Sequence, residues 1–219
     1  MTGTTWRYCP QCAHELALVT QDEDGGPKER LRCTNCGFTH WNNPTPVLAA
    51  IVECADRGGK VLLARNAAWA GRMFALITGF MEAGETPEEG IAREVLEETA
   101  LVAESVKIVG VWDFQRMNQV IIAYHVVARG EIKLSPELAE YKLFEPGDIV
   151  CWPAGTGYAV AEWLRGRGIE PRFMTPEERA ALATPRPETS PTTNSSRPWS
   201  SSTASYQSPP TSVASSPDT

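Results

Sequence analysis

Three glutamates, Glu94, Glu97 and Glu98, stand three and four residues apart in the 219-residue chain. In an α-helix this spacing places all three carboxylates on one face. Crowded carboxylates repel one another, and a divalent cation such as Mg²⁺, which takes oxygen ligands, would offset that repulsion. Arg93 can fix the rotamer of one carboxylate, and Glu85 lies just before the helix. A solvated acidic face, common on surface helices, is the alternative for the three glutamates taken alone.

Four cysteines form a second group with metal-ligand spacing, as the pairs Cys9/Cys12 and Cys33/Cys36. A tetrahedral zinc site needs four soft ligands, and a two-residue spacer lets each pair bind from one tight turn. The 20 residues between the pairs suffice for a small hairpin. We predict a structural Zn²⁺ that supports folding rather than catalysis, because all four positions are filled. Two disulfides or buried free thiols are the alternative.

Other cysteines and histidines are given no role in chemistry. His14 and His40 lie near the cysteine pairs but are not needed as ligands, and we expect them on the surface or in packing. Cys54 and Cys151 are isolated and are expected in the core.

The glutamates require a helix, and the sequence marks where it begins. Thr86 is suited to the N-cap, Pro87 to the first helical position and Glu89 to the closing position of a capping box. The helix is expected to run to about Thr99. The opposite face should point into the core through Ile91, Val95 and Leu96.

Apolar runs separated by glycine and proline predict the remaining elements of an α/β or α+β domain. Strands are predicted at Val47–Cys54, Val61–Arg65, Phe74–Thr78, Val106–Phe114 and Val120–Ala128. A closing helix is predicted at Gly155–Arg167, and a short helix at Pro176–Leu182.

Composition divides the chain into a zinc ribbon over 6–40, a globular domain over 44–170 and a tail over 184–219. Because Ser, Thr and Pro dominate the tail, it cannot bury enough apolar surface to offset its ordering entropy, and we predict disorder. The net charge of −7 disfavours general nucleic-acid binding. No apolar stretch is long enough for a membrane span and no signal pattern begins the chain, so a cytoplasmic location is expected.

The stretch Gly79–Leu101 resembles the Nudix box, which reads Gly, five residues, Glu, seven residues, Arg-Glu-aliphatic-x-Glu-Glu-x-Gly-aliphatic. The matching positions are Gly79, Glu85, Arg93, Glu94, Val95, Glu97, Glu98 and Leu101. Ala100 stands where the pattern has Gly, which ends the helix in a left-handed conformation. Alanine there should cost on the order of 1 kcal/mol.

The resemblance implies a Nudix fold, an α/β/α sandwich around a mixed sheet, preceded here by the small zinc ribbon. It implies that Mg²⁺ or Mn²⁺ is bound by Glu94, Glu97 and Glu98. It further implies that Arg93 orients Glu94 and that Glu85 helps with metal or water. The implied reaction is attack of water on a phosphorus of a diphosphate, with metal ions neutralising charge on the phosphoryl oxygens.

Two further sets of site residues follow from the resemblance. Glu137–Phe144 is similar to a segment that often supplies one more acidic ligand, and Glu140 is the candidate, with a surface strand-edge carboxylate as the alternative. Trp112, Phe114 and Gln115 are candidates for lining a base pocket, with packing on the sheet as the alternative.

A zinc ribbon before a Nudix domain is similar to the NADH pyrophosphatases and their relatives that act on FAD or ADP-ribose. The linker Trp41–Pro44 resembles the join between the two modules. The stretch Val111–Gln119, however, lacks the prolines of the Ser-Gln-Pro-Trp-Pro-Phe-Pro sequence, and the first cysteine is already at Cys9 without a preceding domain. The resemblance therefore favours the smaller ribbon-Nudix relatives, with NADH as one candidate substrate.

The predicted activity is Mg-dependent hydrolysis of a nucleoside-diphosphate-linked small molecule, giving a nucleoside monophosphate and a phosphorylated remainder. The expected partner is this nucleotide substrate, with no membrane, and many members of the family are homodimers. Two alternatives are a non-catalytic module that senses a nucleotide, and removal of nucleotide caps from RNA. The intact glutamates argue against the first, and the acidic balance of the chain against the second.

Overall fold

The computed structural model of the chain describes residues 6–184. Apart from Thr184, the segment predicted as a disordered tail lies outside the described residues. No helix in the described part is long and apolar enough to span a membrane.

The N-terminal part is a three-stranded antiparallel sheet with a very small core. Its strands are β1 (Leu16–Glu23), β2 (Gly26–Cys33) and β3 (Thr39–His40), in that spatial order. Asp24 and Gly25 form the turn of the β1–β2 hairpin, and Gly25 is at positive φ, where a residue without Cβ is least strained. The buried residues are Cys9, Leu16 and Cys33, with Leu31 and Phe38 packed against them. So small an apolar core needs another source of stability, which bound metal can provide.

The second part is built on a mixed six-stranded sheet. Its strands are β4 (Thr45–Cys54), β5 (Lys60–Asn66), β6 (Ile77–Phe80), β7 (Val102–Phe114), β8 (Gln119–Arg129) and β9 (Leu138–Phe144). The spatial order is β7-β8-β4-β5-β9, and β4 runs parallel to β8. Along its other edge, β4 pairs first with β6 and then with β5. The strands β6 and β5 therefore share one edge of β4, and residues 67–76 connect them.

A helix covers each face of this sheet, which gives the predicted α/β/α sandwich. On one face, α1 (Pro87–Thr99) packs Ile91 and Val95 on alternate residues of β4. On the other face, α2 (Thr156–Gly166) packs on the intervening residues. Two-residue strands β10 (Val150–Cys151) and β11 (Arg172–Phe173) and the helix α3 (Pro176–Ala183) complete the α2 side.

Both ends of α1 follow from local backbone chemistry. The Thr86 hydroxyl accepts from the Glu89 amide at 3.3 Å, and the Glu89 carboxylate accepts from the Thr86 amide at 2.8 Å, which confirms the capping box. Ala100 has the left-handed conformation expected of the missing glycine, with φ 59°, and its amide donates to the Leu96 carbonyl at 2.8 Å.

Two expectations about this region were wrong. Leu96 does not face the core, since it is 49% exposed whereas Val95 is fully buried. One residue is a rotation of about 100°, which carries Leu96 past the edge of the buried stripe. The strand predicted at Phe74–Thr78 is observed at Ile77–Phe80. Ala75 forms only a single bridge with Ala64, because pairing with β4 begins at Ile77.

The other predicted elements are present, with shifted ends. The pair of strands β7 and β8 is longer than predicted, because the edge strand β7 extends back to Val102. Its pairing with β8 has two irregularities in register. The closing helix is observed as α2, and the short C-terminal helix as α3, which begins with its own capping box at Thr175. Cys54 and Cys151 are fully buried, as predicted.

Candidate active site and metal centres

The four paired cysteines converge at one point of the ribbon. Their sulfur atoms all lie within 4.8 Å of one another, and all four are free thiols. Both pairs use the same backbone turn: the Ala13 amide donates to the Cys9 carbonyl at 2.8 Å, and the Gly37 amide to the Cys33 carbonyl at 3.0 Å. Four thiols at this separation match the donor set of a closed tetrahedral zinc site.

Neither nearby histidine belongs to this cluster. His40 stacks on Trp6, with ring centroids 5.1 Å apart, and His14 is exposed. Among residues 6–184, the four thiols are the only group of His, Cys, Asp and Glu ligand atoms this close together.

The three glutamates of α1 line one cavity of about 370 Å³ at the end of the sheet where β6 lies. The cavity is lined by Val47, Thr78, Gly79, Phe80, Glu82, Arg93, Glu94, Glu97, Glu98 and Glu137. We refer to it as the acidic cavity. The sequence-predicted helix face is therefore one wall of a concave site.

Arg93 is held inside a ring of carboxylates. Its guanidinium donates to Glu85 from Nε at 3.0 Å and from Nη2 at 2.9 Å. Its Nη1 donates to Glu94 at 2.8 Å and to Glu97 at 3.1 Å. Because one planar cation bonds three carboxylates, the positions of Glu85, Glu94 and Glu97 depend on one another.

Gly79 is required for Glu94 to lie where it does. A Cβ built at Gly79 would lie 1.9 Å from the carboxyl carbon of Glu94 and 2.1 Å from its nearer oxygen. A side chain at position 79 would require the Glu94 carboxyl group to move, so glycine leaves room for the observed position of Glu94.

Negative charge in the cavity is only partly compensated. Hydrogen bonds from Arg93, and then from the Glu82 backbone, lower the pKa of Glu85. Burial raises the pKa of Glu94 despite the bond from Arg93, and burial together with the charges of Glu94 and Glu137 raises the pKa of Glu98 to about 7. Two carboxylates thus lie where ionisation is unfavourable unless a cation is added.

The structure brings Glu137, and not Glu140, to the acidic cavity. Glu137 precedes β9 and acts electrostatically on Glu98. Glu140 lies within β9, 3.5 Å from Arg65 Nε, and lines a different cavity on the α2 side. Glu140 points to the α2 face as a residue of β9, whereas Glu137 lies in the turn before that strand and is not bound by its alternation.

The aromatic candidates lie on the sheet face covered by α2. Trp112 and Phe114 are half-buried against that core, and Gln115 is exposed. Phe80 was missed by sequence reasoning, although it is 58% exposed and lines the acidic cavity with Val47. In the sheet register, Phe80 pairs with Val47, Val47 with Ile121 and Ile121 with Trp112, so they form one row.

Comparison with known families identifies both parts of the chain. The NUDIX domain model matches residues 44–164, more than half of the sequence. The chain belongs to the Nudix family. The Nudix N-terminal zinc-ribbon model matches residues 7–42, which contain all four cysteines of the ribbon. The chain therefore carries a Nudix domain preceded by the zinc-ribbon domain found at the N-terminus of Nudix proteins.

Among curated proteins, this Nudix hydrolase is similar to enzymes named NAD-capped RNA hydrolase NudC. Over 129 residues it is 31% identical to that of Pasteurella multocida, covering 58% of this chain and 46% of the relative. Over 163 residues it is 28% identical to that of Pseudomonas putida KT2440, covering 71% and 55%. The chain thus spans about half the length of the curated relatives it matches.

A solved structure of the same family agrees with the fold. A Nudix hydrolase from Nitrosomonas europaea is 27% identical, with a TM-score of 0.60, covering 77% of this chain and 97% of that one.

Proposed function

We propose that this chain hydrolyses a diphosphate linkage in a dinucleotide of the NADH, FAD or ADP-ribose class, giving a nucleoside monophosphate and a phosphorylated remainder. The observation that carries the proposal is the acidic cavity, where the three box glutamates meet Glu137 around a water-accessible space. With Glu82, five glutamates line the cavity beside one arginine, and such a group is suited to hold divalent cations against a substrate diphosphate. A non-catalytic nucleotide sensor would not require five mutually repelling carboxylates.

The donor set of the cavity fits Mg²⁺ or Mn²⁺. All its candidate ligands are carboxylate oxygens, contributed by Glu94, Glu97, Glu98 and Glu137. The raised pKa of Glu98, caused first by burial, is the expected property of a ligand whose cation has not been added. When bound, the metal neutralises charge on the phosphoryl oxygens and makes water a better nucleophile.

Arg93 and Glu85 act by positioning the ligands. Arg93 holds Glu94 and Glu97 at the wall of the cavity, so that they need no reorganisation when substrate arrives. Glu85 accepts two hydrogen bonds from Arg93 and one from the Glu82 amide at 2.8 Å. With its pKa lowered by these bonds, Glu85 serves as the anchor of Arg93 rather than as a general base.

Phe80 and Val47 are proposed as the platform for a base of the substrate. An exposed aromatic ring beside a diphosphate-binding cavity offers a stacking surface for a nicotinamide, flavin or adenine ring. Trp112, in the same row of the sheet, supports this surface through Ile121.

A second candidate function is removal of an NAD cap from RNA. The names of the relatives favour it, and it shares the diphosphate chemistry of the first candidate. The net charge of −7 disfavours general binding to an RNA chain. A cap, however, needs to be recognised only at its diphosphate and bases. The partner is then an RNA end, contrary to the expectation of a purely small-molecule substrate.

Turnover with Mg²⁺ distinguishes these candidates. We expect hydrolysis of at least one of NADH, FAD, ADP-ribose and NAD-capped RNA, and none of them in EDTA. Comparing kcat/KM for NADH and for a short NAD-capped RNA decides whether the RNA chain contributes. Inactivity toward all four substrates with Mg²⁺ and with Mn²⁺ would contradict the proposed function.

Glu137 is proposed as the additional acidic ligand in place of Glu140. We expect Glu137→Gln to lower kcat by roughly 10- to 100-fold and to raise the Mg²⁺ concentration needed for half-maximal activity. Glu140→Gln is the matched control, made three residues away on the same segment, and should leave kcat within about twofold because its carboxylate lies outside the acidic cavity. Kinetics at varied Mg²⁺ measure both effects, and the opposite ranking would return the ligand role to Glu140.

The ribbon is proposed to hold one structural zinc ion. Elemental analysis of protein purified without added metal should find about one zinc per chain. Four thiolates bind zinc so tightly that the ion should stay bound through purification. Cys12→Ser should lose the zinc and lower the melting temperature, with a smaller effect on turnover. Cys151→Ala, a buried thiol outside the cluster, should keep the zinc. Zinc-free protein with two disulfides under reducing conditions would contradict the assignment.

A further inference from the structure

A second cavity lies on the α2 side of the sheet, away from the acidic cavity. Its volume is about 340 Å³, within the range of small-molecule sites. The sheet contributes Leu63 and Phe144, the connection between β5 and β6 contributes Phe74, and Trp152 also lines the cavity. These side chains are suited to hold a planar ring.

Part of this cavity is formed by residues outside the family domain. Met174 and Leu182, which line it, follow the matched region 44–164. The helix α3 is fixed there by Arg72, whose amide donates to the Leu182 carbonyl at 2.7 Å and whose Nη2 donates to the Ala181 carbonyl at 2.9 Å. Gly71 permits this approach, since a Cβ there would lie 2.7 Å from the Leu182 carbonyl oxygen. The wall that α3 contributes is therefore held in place by specific contacts within this chain.

A cationic recess adjoins the aromatic cavity. It has a volume of about 170 Å³ and is lined by Arg65, Ala70, Gly71 and Arg72. Arg72 lines both spaces, so they lie on either side of one side chain. A guanidinium has five N–H donors, and the described contacts of the Arg72 side chain use one of them. Two arginines around a small recess suit a phosphate group.

Carboxylates complete the polar part of the aromatic cavity. Glu140 and Asp148 line it. Glu140 is paired with Arg65 at 3.5 Å, and Asp148 offers oxygens that accept hydrogen bonds from an amino group on a base. Lys142 lies 4.5 Å from the centroid of the Phe74 ring, so one face of that ring already carries a cation. A ligand ring is therefore expected between the other aromatic walls and the free face of Phe74.

We propose that the aromatic cavity and its cationic recess form a binding site for a nucleoside monophosphate whose base carries an amino group, separate from the acidic cavity and independent of the catalytic metal. The base occupies the aromatic cavity, where its amino group donates to Asp148. The phosphate lies between Arg65 and Arg72. This binding does not depend on the hydrolytic activity proposed above.

The test is binding of AMP to the full-length protein in EDTA, measured by equilibrium dialysis or calorimetry. One saturable site per chain is expected, and Glu98→Gln should bind AMP as the wild type does. Phe74→Leu should weaken AMP binding by roughly tenfold, because the stacking ring is lost. Arg65→Gln should weaken binding of AMP but not of adenosine, whereas Arg165→Gln, which removes an exposed arginine paired with Glu162, should change neither.

Three results would overturn the proposal. The first is absence of saturable AMP binding by the wild type in EDTA. The second is loss of binding in Glu98→Gln with retention in Phe74→Leu, which would place AMP in the acidic cavity. The third is binding of IMP, which lacks the amino group, as tightly as AMP. If circular dichroism shows Phe74→Leu to be unfolded, Arg65→Gln and the comparison of AMP with IMP decide the question.

Discussion

Glu98→Gln should lower kcat by roughly 100-fold or more, on the order of 3 kcal/mol of transition-state stabilisation, with the fold intact. The substitution keeps the size and shape of the side chain but removes the charge that would hold the metal. Steady-state kinetics on the active substrate, with Mg²⁺ and with EDTA, measure the loss. Glu88→Gln on the same helix is the control, because Glu88 bonds the Tyr124 hydroxyl and does not line the acidic cavity. Near-normal turnover by Glu98→Gln and by Glu98→Ala would contradict the metal role of Glu98.

In metal-free buffer, Glu98→Gln should be more stable than the wild type, although its turnover is lower. Burial and neighbouring carboxylates raise the pKa of Glu98 from 4.5 to about 7, so between these values the folded protein binds more protons than the unfolded one. The contribution of Glu98 to stability therefore falls as pH rises from about 4.5 to 7. In EDTA at pH 8, Glu98→Gln should melt above the wild type, and the difference should disappear toward pH 4.5. A wild type that is no less stable than the variant at pH 8 would contradict this reasoning.

Gly79→Ala should reduce kcat by roughly 100-fold although no charged group is removed. The new Cβ would lie 1.9 Å from the carboxyl carbon of Glu94, so either Glu94 or β6 must move. Arg93 bonds Glu94 and Glu97 from the same nitrogen, and a displaced Glu94 therefore disturbs a second ligand. The measurement is kcat at saturating Mg²⁺, together with circular dichroism to verify folding.

Gly166→Ala is the matched control for Gly79→Ala. Gly166 is the last residue of α2, and a Cβ there would meet no atom within 4 Å. Alanine should be neutral or slightly stabilising at such a position. If Gly79→Ala were as active as Gly166→Ala, the close approach of β6 to Glu94 would not be needed for catalysis.

Elements fixed by local chemistry were predictable from the sequence. The start of α1 depends on Thr86 and Glu89, which are three residues apart, and both hydrogen bonds of the capping box are formed. Each Cys-x-x-Cys pair likewise folds within one turn, from residues that are near neighbours in sequence. The meeting of the two pairs depends in addition on the β1–β2 hairpin between them.

Features that depend on distant parts of the chain were not predictable in detail. The face that Glu140 takes depends on its register with β5, and the position of Glu137 depends on the turn that precedes β9. Leu96 was misplaced because the width of the buried stripe of α1 is set by the sheet beneath it. Phe80 was missed because its exposure depends on pairing with Val47, 33 positions earlier.

The left-handed Ala100 has a consequence for how this chain tolerates change. A non-glycine residue at φ 59° leaves a local destabilisation of about 1 kcal/mol at the end of the helix that carries the carboxylates. Ala100→Gly would relieve it without touching any group that lines the acidic cavity. Such a substitution acts as a global suppressor, since a gain in folding stability compensates for damaging mutations elsewhere in the domain. With glycine at position 100, the domain should therefore tolerate a wider range of otherwise destabilising substitutions.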